Sequence, residues 1–263
     1  MRGTELLISS SCVGMQPNIA FDLAILNDGA IKLGYLSSDY LSPVVINDTI
    51  TLQGAECGQM SMPVELYLTA DGKKTMLVLR GGATDMRAFA NAFKDWISET
   101  GFSGVALLSA AWSPVKRERD SNREIPKLFA YCNKHLESQG FYEKQGIRKF
   151  GWWFEEKHKT KYCHELRDMV QAGWAPRLFK TLCKLDMPVG IFLVFCQGGV
   201  DFIGGYTMYK FIQKPFFNTN AGLKDIGSVD LGSLKSGEEV HEHIFQSGAM
   251  KYPFGWAQIL AYF

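Results

Sequence analysis

The chain has 263 residues, of which 46% are hydrophobic, 21% charged and 13% aromatic. Its 28 basic and 27 acidic side chains give a formal net charge of +1 at pH 7 and a pI of about 7.6. Disordered chains combine few apolar residues with a high net charge, so this composition predicts a folded protein. Nucleic-acid-binding domains usually have a pI above about 9, which argues against DNA or RNA as the main partner.

Six cysteines are scattered without a CxxC pair: Cys12, Cys57, Cys132, Cys163, Cys183 and Cys196. In a chain this long we expect them to be small buried hydrophobes in a reducing compartment. The apolar stretch Leu6–Ile8 is too short for a signal peptide, and the run Met187–Cys196 is roughly half of a membrane span. We therefore expect a cytoplasmic or nuclear protein with no membrane partner.

The first elements read as a strand, a helix and a second strand. Leu6–Ser9 is a short apolar run, and Asn18 is a plausible N-cap for a helix carrying Ile19, Leu23 and Leu26 on one face. Ile31–Leu36 then has the composition of a strand. This order predicts that the two strands form a parallel pair.

A hairpin and a well-delimited helix follow. Val64–Thr69 and Thr75–Leu79 flank the turn residues of Ala70–Lys73, which predicts an antiparallel hairpin. Thr84 or Asp85 can cap a helix that ends before Gly101.

The second half continues the alternation of strands and helices. Gly104–Ser109 and Gly190–Phe195 are predicted to be buried strands, Ile125–Leu136 a helix, and Phe202–Ile212 a helix after a glycine-rich turn. Residues 112–165 contain a charged stretch and an aromatic-rich stretch, interpreted as an insertion or an interaction surface. We predict a single α/β domain over residues 1–251.

Residue patterns that carry chemistry are weak. Gly198, Gly199, Gly204 and Gly205 lie between the predicted strand and helix, and Gly199 and Gly204 have the spacing of a phosphate-binding loop. Because Gly205 and Tyr206 stand where Lys and Ser or Thr are needed, these glycines are interpreted as allowing a tight turn from strand to helix. His241 and His243 lack a second pair of ligands at metal-like spacing. The sequence therefore predicts no catalytic residue, no cofactor and no metal site, although dispersed catalytic groups would escape such a search.

The C-terminal segment, residues 252–263, is unusually apolar. Five of its twelve residues are aromatic, and no charged side chain follows Lys251. Such a segment is expected to bury itself, either on the core of its own chain or on a partner.

Several segments occur in the order typical of one protein family: Leu6–Ile8, Val13–Gly14, Ala20–Leu23, Ile31–Leu36, Leu77–Arg80, Val105–Ser109, Gly190–Phe195, Gly204–Ile212, Trp256 and Tyr262. As an ordered set they resemble the PAC2 family of proteasome assembly chaperones. Two features depart from the family pattern: Ala261 is small for a hydrophobic anchor, and the aromatic stretch from Phe141 to Phe154 has no counterpart that we can place.

The resemblance implies a phosphorylase-like, three-layer α/β/α sandwich with a mixed, largely parallel sheet and no retained active site. It also implies a non-enzymatic chaperone that forms a heterodimer with proteasome assembly chaperone 1. Such chaperones bind the outer face of the 20S core particle α-ring, promote α-ring assembly and block premature docking of regulators. The partners would be that sibling chaperone and the proteasome α-type subunits.

Ala261, Tyr262 and Phe263 fit the hydrophobic–Tyr–any tripeptide that α-ring pockets bind. In such a pocket a lysine can pair with a free carboxylate on Phe263, and Tyr262 offers apolar area with a hydroxyl. The tripeptide is therefore the predicted α-ring-binding site. Packing of this segment on its own core remains the alternative.

Two other functions stay open. An enzyme of nucleoside-phosphorylase or hydrolase type would share the fold class and would need Ser9–Ser11, Arg80 and Ser109 around one cavity. Each of these residues also fits a strand-end or loop role. A generic scaffold with other protein partners is the third reading.

Overall fold

A computed structural model describes residues 1–42, 46–47, 60–112, 128–150, 166, 169, 171–196 and 199–217. The strands in these ranges are β1 Glu5–Ser9, β2 Ile31–Tyr35, β3 Ile46–Asn47, β4 Met60–Ser61, β5 Val64–Leu68, β6 Lys74–Leu79, β7 Gly104–Trp112, β8 Phe129–Cys132, β9 Arg148–Lys149 and β10 Val189–Cys196. The helices are α1 Gln16–Asn27, α2 Met86–Thr100, α3 Lys134–Ser138, α4 Phe141–Gln145, α5 Ala175–Leu182 and α6 Phe202–Ile212.

Eight strands form one sheet in the order β2-β5-β6-β1-β7-β10-β8-β9, and β3 pairs separately with β4. Four of the seven pairings in the large sheet are parallel, and β1, β6, β7 and β10 form its parallel centre. These central strands are near-continuous apolar runs because helices cover both faces of the sheet. The predicted mixed, largely parallel sheet is confirmed.

Helices lie on both faces of the sheet. Leu7 points into a core under α1 and α6, while its neighbours Leu6 and Ile8 point into a second core under α2 and α5. This alternation follows from the two-residue period of a strand. The three-layer α/β/α sandwich predicted for a single domain is therefore confirmed.

Helix α2 has the termini that the sequence predicts. The Asp85 carboxylate accepts hydrogen bonds from the backbone N–H groups of Arg87 and Ala88, at 2.9 and 3.0 Å. Gly101 ends the helix in the left-handed conformation, with φ of 74°. The hairpin of β5 and β6 is also confirmed.

Two predictions for the N-terminal elements are wrong. β1 and β2 are not neighbours, because β5 and β6 lie between them and β2 pairs antiparallel with β5. Asn18 does not cap α1: the helix begins at Gln16, and Pro17 occupies its first turn. Proline is favoured there because it lacks the N–H that the first turn leaves unbonded.

Two predictions for the second half are also wrong. The helix expected over Ile125–Leu136 is replaced, where the structure describes it, by β8 and the short helix α3, which Asn133 caps. Gly204 and Gly205 lie inside α6 and not in the turn before it. A Cβ atom on Gly205 would lie 2.6 Å from Cγ2 of Ile19, so these glycines let α6 pack closely on α1.

Part of the predicted 112–165 insertion is described, and it contains β8, α3, α4 and β9. β8 and β9 continue the large sheet, so this part belongs to the α/β domain. Residues 113–127 and 151–165 and the C-terminal segment 252–263 lie outside the described residues. Within the described ranges, no helix is long and apolar enough to cross a membrane.

Candidate functional site

The predicted binding residues Ala261, Tyr262 and Phe263 lie outside the described residues, as do His241 and His243. The tripeptide therefore stays a prediction. The structure does describe how the chain leaves the domain after α6, up to Phe217.

The residues that follow α6, up to Phe217, are bound at the amino-terminal ends of the central strands. The Glu5 carboxylate, at the start of β1, accepts hydrogen bonds from the backbone N–H of Phe216 at 3.1 Å and of Phe217 at 3.0 Å. The Phe216 ring is fully buried, and its centroid lies 4.2 Å from the centroid of the Phe211 ring. The Phe217 ring lies against Gly104, where a Cβ atom would be 2.5 Å from the ring.

Lys74, at the start of β6, holds the same segment from the neighbouring strand. Its ammonium donates to the backbone carbonyls of Ile212 and Lys214, the second at 2.7 Å. Burial lowers the pKa of Lys74, although the nearby Glu5 carboxylate opposes this effect. A cation at the C-terminal end of α6 also interacts favourably with the helix dipole. Glu5 and Lys74 together form what we call the C-terminal anchor.

A buried charge cluster lies around Arg80, which follows the carboxyl-terminal end of β6. Arg80 donates to the Asp22 carboxylate at 2.7 Å and to the Glu65 carboxylate at 3.3 Å. The Glu65 carboxylate also accepts a hydrogen bond from the Lys32 ammonium, with an N–O distance of 2.5 Å. Burial disfavours the guanidinium charge, but the Asp22 carboxylate beside it raises the pKa of Arg80 above its usual value. Arg80 is therefore paired with carboxylates of its own chain.

The serines proposed for an enzyme bind the backbone. Ser9 Oγ accepts the N–H of Leu79 at 2.9 Å, and Ser109 Oγ donates to the Ala172 carbonyl at 2.8 Å. Ser10 Oγ donates to the same carbonyl at 3.1 Å and accepts the N–H of Trp174 at 2.8 Å. Ser9, Ser10 and Ser109 are all buried. Each hydroxyl thus has a structural partner.

These groups surround the place where this kind of sheet usually binds ligands. α1 and α2 leave the adjacent strands β1 and β6 toward opposite faces, and such a divergence opens a crevice at the carboxyl ends of the strands. Here the crevice is bridged by Ser9 and by Asn18, whose Nδ2 lies 3.4 Å from the Leu79 carbonyl. Arg80 binds the Asp22 and Glu65 carboxylates there, whereas Ser10 and Ser109 bind the Ala172 carbonyl.

An open groove of about 1000 Å³ lies elsewhere, beside the start of β10. Its walls include Tyr131, Asn133, Lys134, Phe179 and Asp186, and none of the serines or the arginine proposed for an enzyme lines it. Among the described residues, no group of three or more His, Cys, Asp and Glu side chains could hold a metal ion.

Two of the described cysteines have thiols with a strongly raised pKa. Burial raises the pKa of both Cys12 and Cys132 to about 12, which keeps them protonated at neutral pH. Cys132 and Cys196 are buried, as predicted, whereas Cys183 is exposed and Cys12 is partly exposed. Cys57 and Cys163 lie outside the described residues.

Sequence reasoning missed Glu5, Lys74, Asp22 and Glu65. A signal was available, because each is a charged residue within or beside an apolar run. Charges at such positions are rarely buried without partners. The partners themselves come from distant parts of the chain, so their pairing required the fold.

Solved structures share this fold. Pyrococcus furiosus PbaA, described as an archaeal homolog of proteasome-assembly chaperone, matches with a TM-score of 0.55 at 12% identity, over 92% of this chain and 95% of that protein. Pyrococcus furiosus PbaB, described as an archaeal proteasome activator, matches with a TM-score of 0.56 at 14% identity, over 95% of each chain. At these identities the likeness shows the fold alone.

Curated relatives named proteasome assembly chaperone 2 match most of the chain. The Danio rerio protein is 25% identical over 206 residues, 75% of this chain and 76% of its own length. The Nematostella vectensis protein is 24% identical over 83% of this chain and 91% of its length, and the Homo sapiens protein 24% over 81% of each. The sequence profile of the PAC2 family matches residues 13–198. The chain belongs to the PAC2 family.

Proposed function

We propose that this chain is a proteasome assembly chaperone. The observation that carries the proposal is the match, over three quarters or more of the chain, to relatives named proteasome assembly chaperone 2. Pyrococcus furiosus PbaA, described as an archaeal homolog of proteasome-assembly chaperone, shares the fold. Chaperones of this kind act by binding, which agrees with the structural use of Arg80 and the serines.

In more detail, the chain forms a heterodimer with proteasome assembly chaperone 1 and binds the outer face of the 20S α-ring. It promotes assembly of that ring and blocks premature docking of regulators. Ala261, Tyr262 and Phe263 insert into a pocket between α-type subunits. Tyr262 contributes apolar area and a hydroxyl, the profile of an anchoring residue.

The C-terminal anchor supports this role for the tripeptide. Glu5 and Lys74 hold the chain at Ile212–Phe217, so the segment that leads to Tyr262 starts from a defined point of the domain. A binding segment tethered to a domain that has its own contact gains affinity through a raised effective concentration. Both contacts together would bind the α-ring more tightly than either alone.

Deletion of residues 261–263 tests the tripeptide. The chain is purified with its sibling chaperone and titrated against 20S core particles. Loss of an anchoring residue costs about 2 kcal/mol, so we expect binding to weaken by roughly 30-fold. Pairing with the sibling is expected to be unchanged. Tyr252→Ala, within the same segment but outside the tripeptide, is the matched control. Equal α-ring affinity for the deleted and intact chains would contradict the role of the tripeptide.

The chaperone function is tested separately by affinity purification of the intact chain and mass identification of bound proteins. We expect a sibling chaperone and α-type subunits. Recovery of neither would overturn the proposal. The enzyme alternative is tested by phosphate-dependent cleavage of nucleosides, for which we expect no turnover because carboxylates occupy Arg80. Phosphate-dependent turnover by the intact chain would favour the enzyme.

A further inference from the structure

The groove beside the start of β10 has an excess of positive charge. Besides one histidine, its charged lining residues are Lys134, Lys149, Lys184, Glu137 and Asp186. The Lys149 ammonium is paired with the Glu137 carboxylate at 2.8 Å. Lys134 and Lys184 are exposed, and neither forms an ion pair with a described residue. Two ammonium groups of the groove can therefore bind an anionic partner.

The same groove has apolar walls. Tyr131 and Phe179 line it with their ring centroids 5.3 Å apart, in an edge-to-face arrangement. Leu185 adds an aliphatic side chain. Ammonium groups beside aromatic rings are complementary to an extended segment that carries carboxylates next to large apolar side chains.

The chain itself contains such a segment, outside the described residues. Glu238, Glu239 and Glu242 lie within five positions, and no lysine or arginine occurs over 236–250. Ile244 and Phe245 follow. We call residues 238–245 the acidic segment. Its charge and its apolar residues match those of the groove.

The other stretches outside the described residues do not have this pattern. Residues 113–127 and 151–165 carry at least as many basic as acidic side chains. In residues 48–59 the two acidic side chains are Asp48 and Glu56, eight positions apart. Charge complementarity therefore selects the acidic segment as the occupant of the groove.

The C-terminal anchor places the start of the connecting chain near the groove. Phe217 is held against Gly104, at the start of β7. β10 is the neighbour of β7, and its first residue, Val189, lies opposite Val105. The groove and Phe217 therefore lie at the same end of the central strands. Adjacent strands are about 4.8 Å apart, and a coil of the 20 residues that follow Phe217 spans about 25 Å, so the acidic segment can reach the groove.

We propose that the acidic segment docks in the groove of its own chain. Its carboxylates pair with the Lys134 and Lys184 ammonium groups, and Phe245 packs against the Tyr131 and Phe179 rings. Individual exposed ion pairs are weak. Within one chain, however, the effective concentration of the two surfaces is millimolar, so several weak contacts together hold the segment in place.

Docking has a consequence that rests on the proposed function. It shortens the tether before the tripeptide at 261–263 from the 43 residues after Phe217 to the 15 residues after Phe245. Effective concentration falls with roughly the −3/2 power of linker length, so docking raises it about fivefold for α-ring binding. Docking itself involves no proteasome subunit, and its tests use the isolated full-length chain. Their failure leaves the chaperone proposal unaffected.

Carbodiimide cross-linking tests the contact, because it joins the carboxylate and ammonium groups of an ion pair as an amide. We expect peptide mass analysis to find amides between Lys134 or Lys184 and the glutamates of residues 238–242. Their yield should be independent of protein concentration and should fall with added salt. Amides of these two lysines to other residues only, or formed only between two copies, would overturn the proposal.

Charge reversal tests the complementarity, with disulfide formation as the readout. Cys183 is exposed and lines the groove, so it should form a disulfide with Val240→Cys in the same chain under mild oxidation. Adding Lys134→Glu and Lys184→Glu should slow this reaction at least about threefold. Adding Lys144→Glu, at an exposed position on α4 outside the groove, should leave it unchanged.

Restoring the opposite charges distinguishes an ion pair from a merely altered surface. Glu238→Lys and Glu239→Lys, combined with the two reversed lysines, should restore the rate of disulfide formation. Ser228→Cys, nearer to Phe217 but outside the acidic segment, should react with Cys183 more slowly than Val240→Cys. Equal rates for these two cysteines, or reversed lysines that do not slow the reaction, would refute docking in the groove.

Discussion

Replacing Arg80 with methionine would remove the cation from the buried charge cluster. The Asp22 and Glu65 side chains are only 2% and 1% exposed, so water cannot replace the guanidinium. Breaking a buried ion pair by removing one partner typically costs about 3–5 kcal/mol, because the remaining charge is left uncompensated. A domain of ordinary stability has about 5–15 kcal/mol in total. We therefore expect Arg80→Met to lose a large fraction of its free energy of unfolding.

Urea denaturation followed by tryptophan fluorescence measures this loss. The informative comparison is with the triple variant Arg80→Met, Asp22→Asn, Glu65→Gln. It replaces the arginine and also neutralises the two carboxylates that Arg80 contacts. We expect the triple variant to be more stable than Arg80→Met alone by about 2 kcal/mol, since neutral amides are less costly to bury than carboxylates. Lys32, which is 28% exposed, can remain hydrated after losing Glu65. A loss below about 1 kcal/mol for Arg80→Met would refute the reasoning.

Two further predictions concern packing and thiol chemistry. Gly205→Ala should destabilise the fold by about 1–3 kcal/mol, since its Cβ would lie 2.6 Å from Ile19, whereas Gly82→Ala meets its nearest atom at 3.5 Å and should change stability little. Equal unfolding midpoints for the two variants in urea would contradict close packing of α1 and α6. Iodoacetamide should label the exposed Cys183 at least about ten times faster than the buried Cys132, whose pKa burial raises to about 12. Peptide mass analysis measures the two rates, and equal labelling would contradict the burial of Cys132.

Local signals predicted those elements that local interactions define. Asp85 and Gly101 mark the ends of α2 because a cap depends on residues within one turn of the helix. The β5–β6 hairpin is similarly specified by its own turn residues. The central strands were recognisable as apolar runs because both of their faces are covered.

The errors lie where distant contacts decide. β2 follows α1 directly, yet its place in the sheet is set by pairing with β5, which lies about 30 residues farther along the chain. β8 is a run of four residues, too short for periodicity to distinguish strand from helix, and antiparallel pairing with β10 fixes it as a strand. Gly205 fits a turn by composition, but its contact with Ile19 comes from the packing of two helices.

The buried charge cluster shows what a sequence can and cannot disclose about such sites. Asp22 and Glu65 each interrupt an apolar segment, and Arg80 ends another. Because isolated charges are too costly to bury, these positions require counter-charges, and the two carboxylates are balanced by Arg80 and Lys32. Charge balance could therefore have predicted a buried network but not its members' pairing.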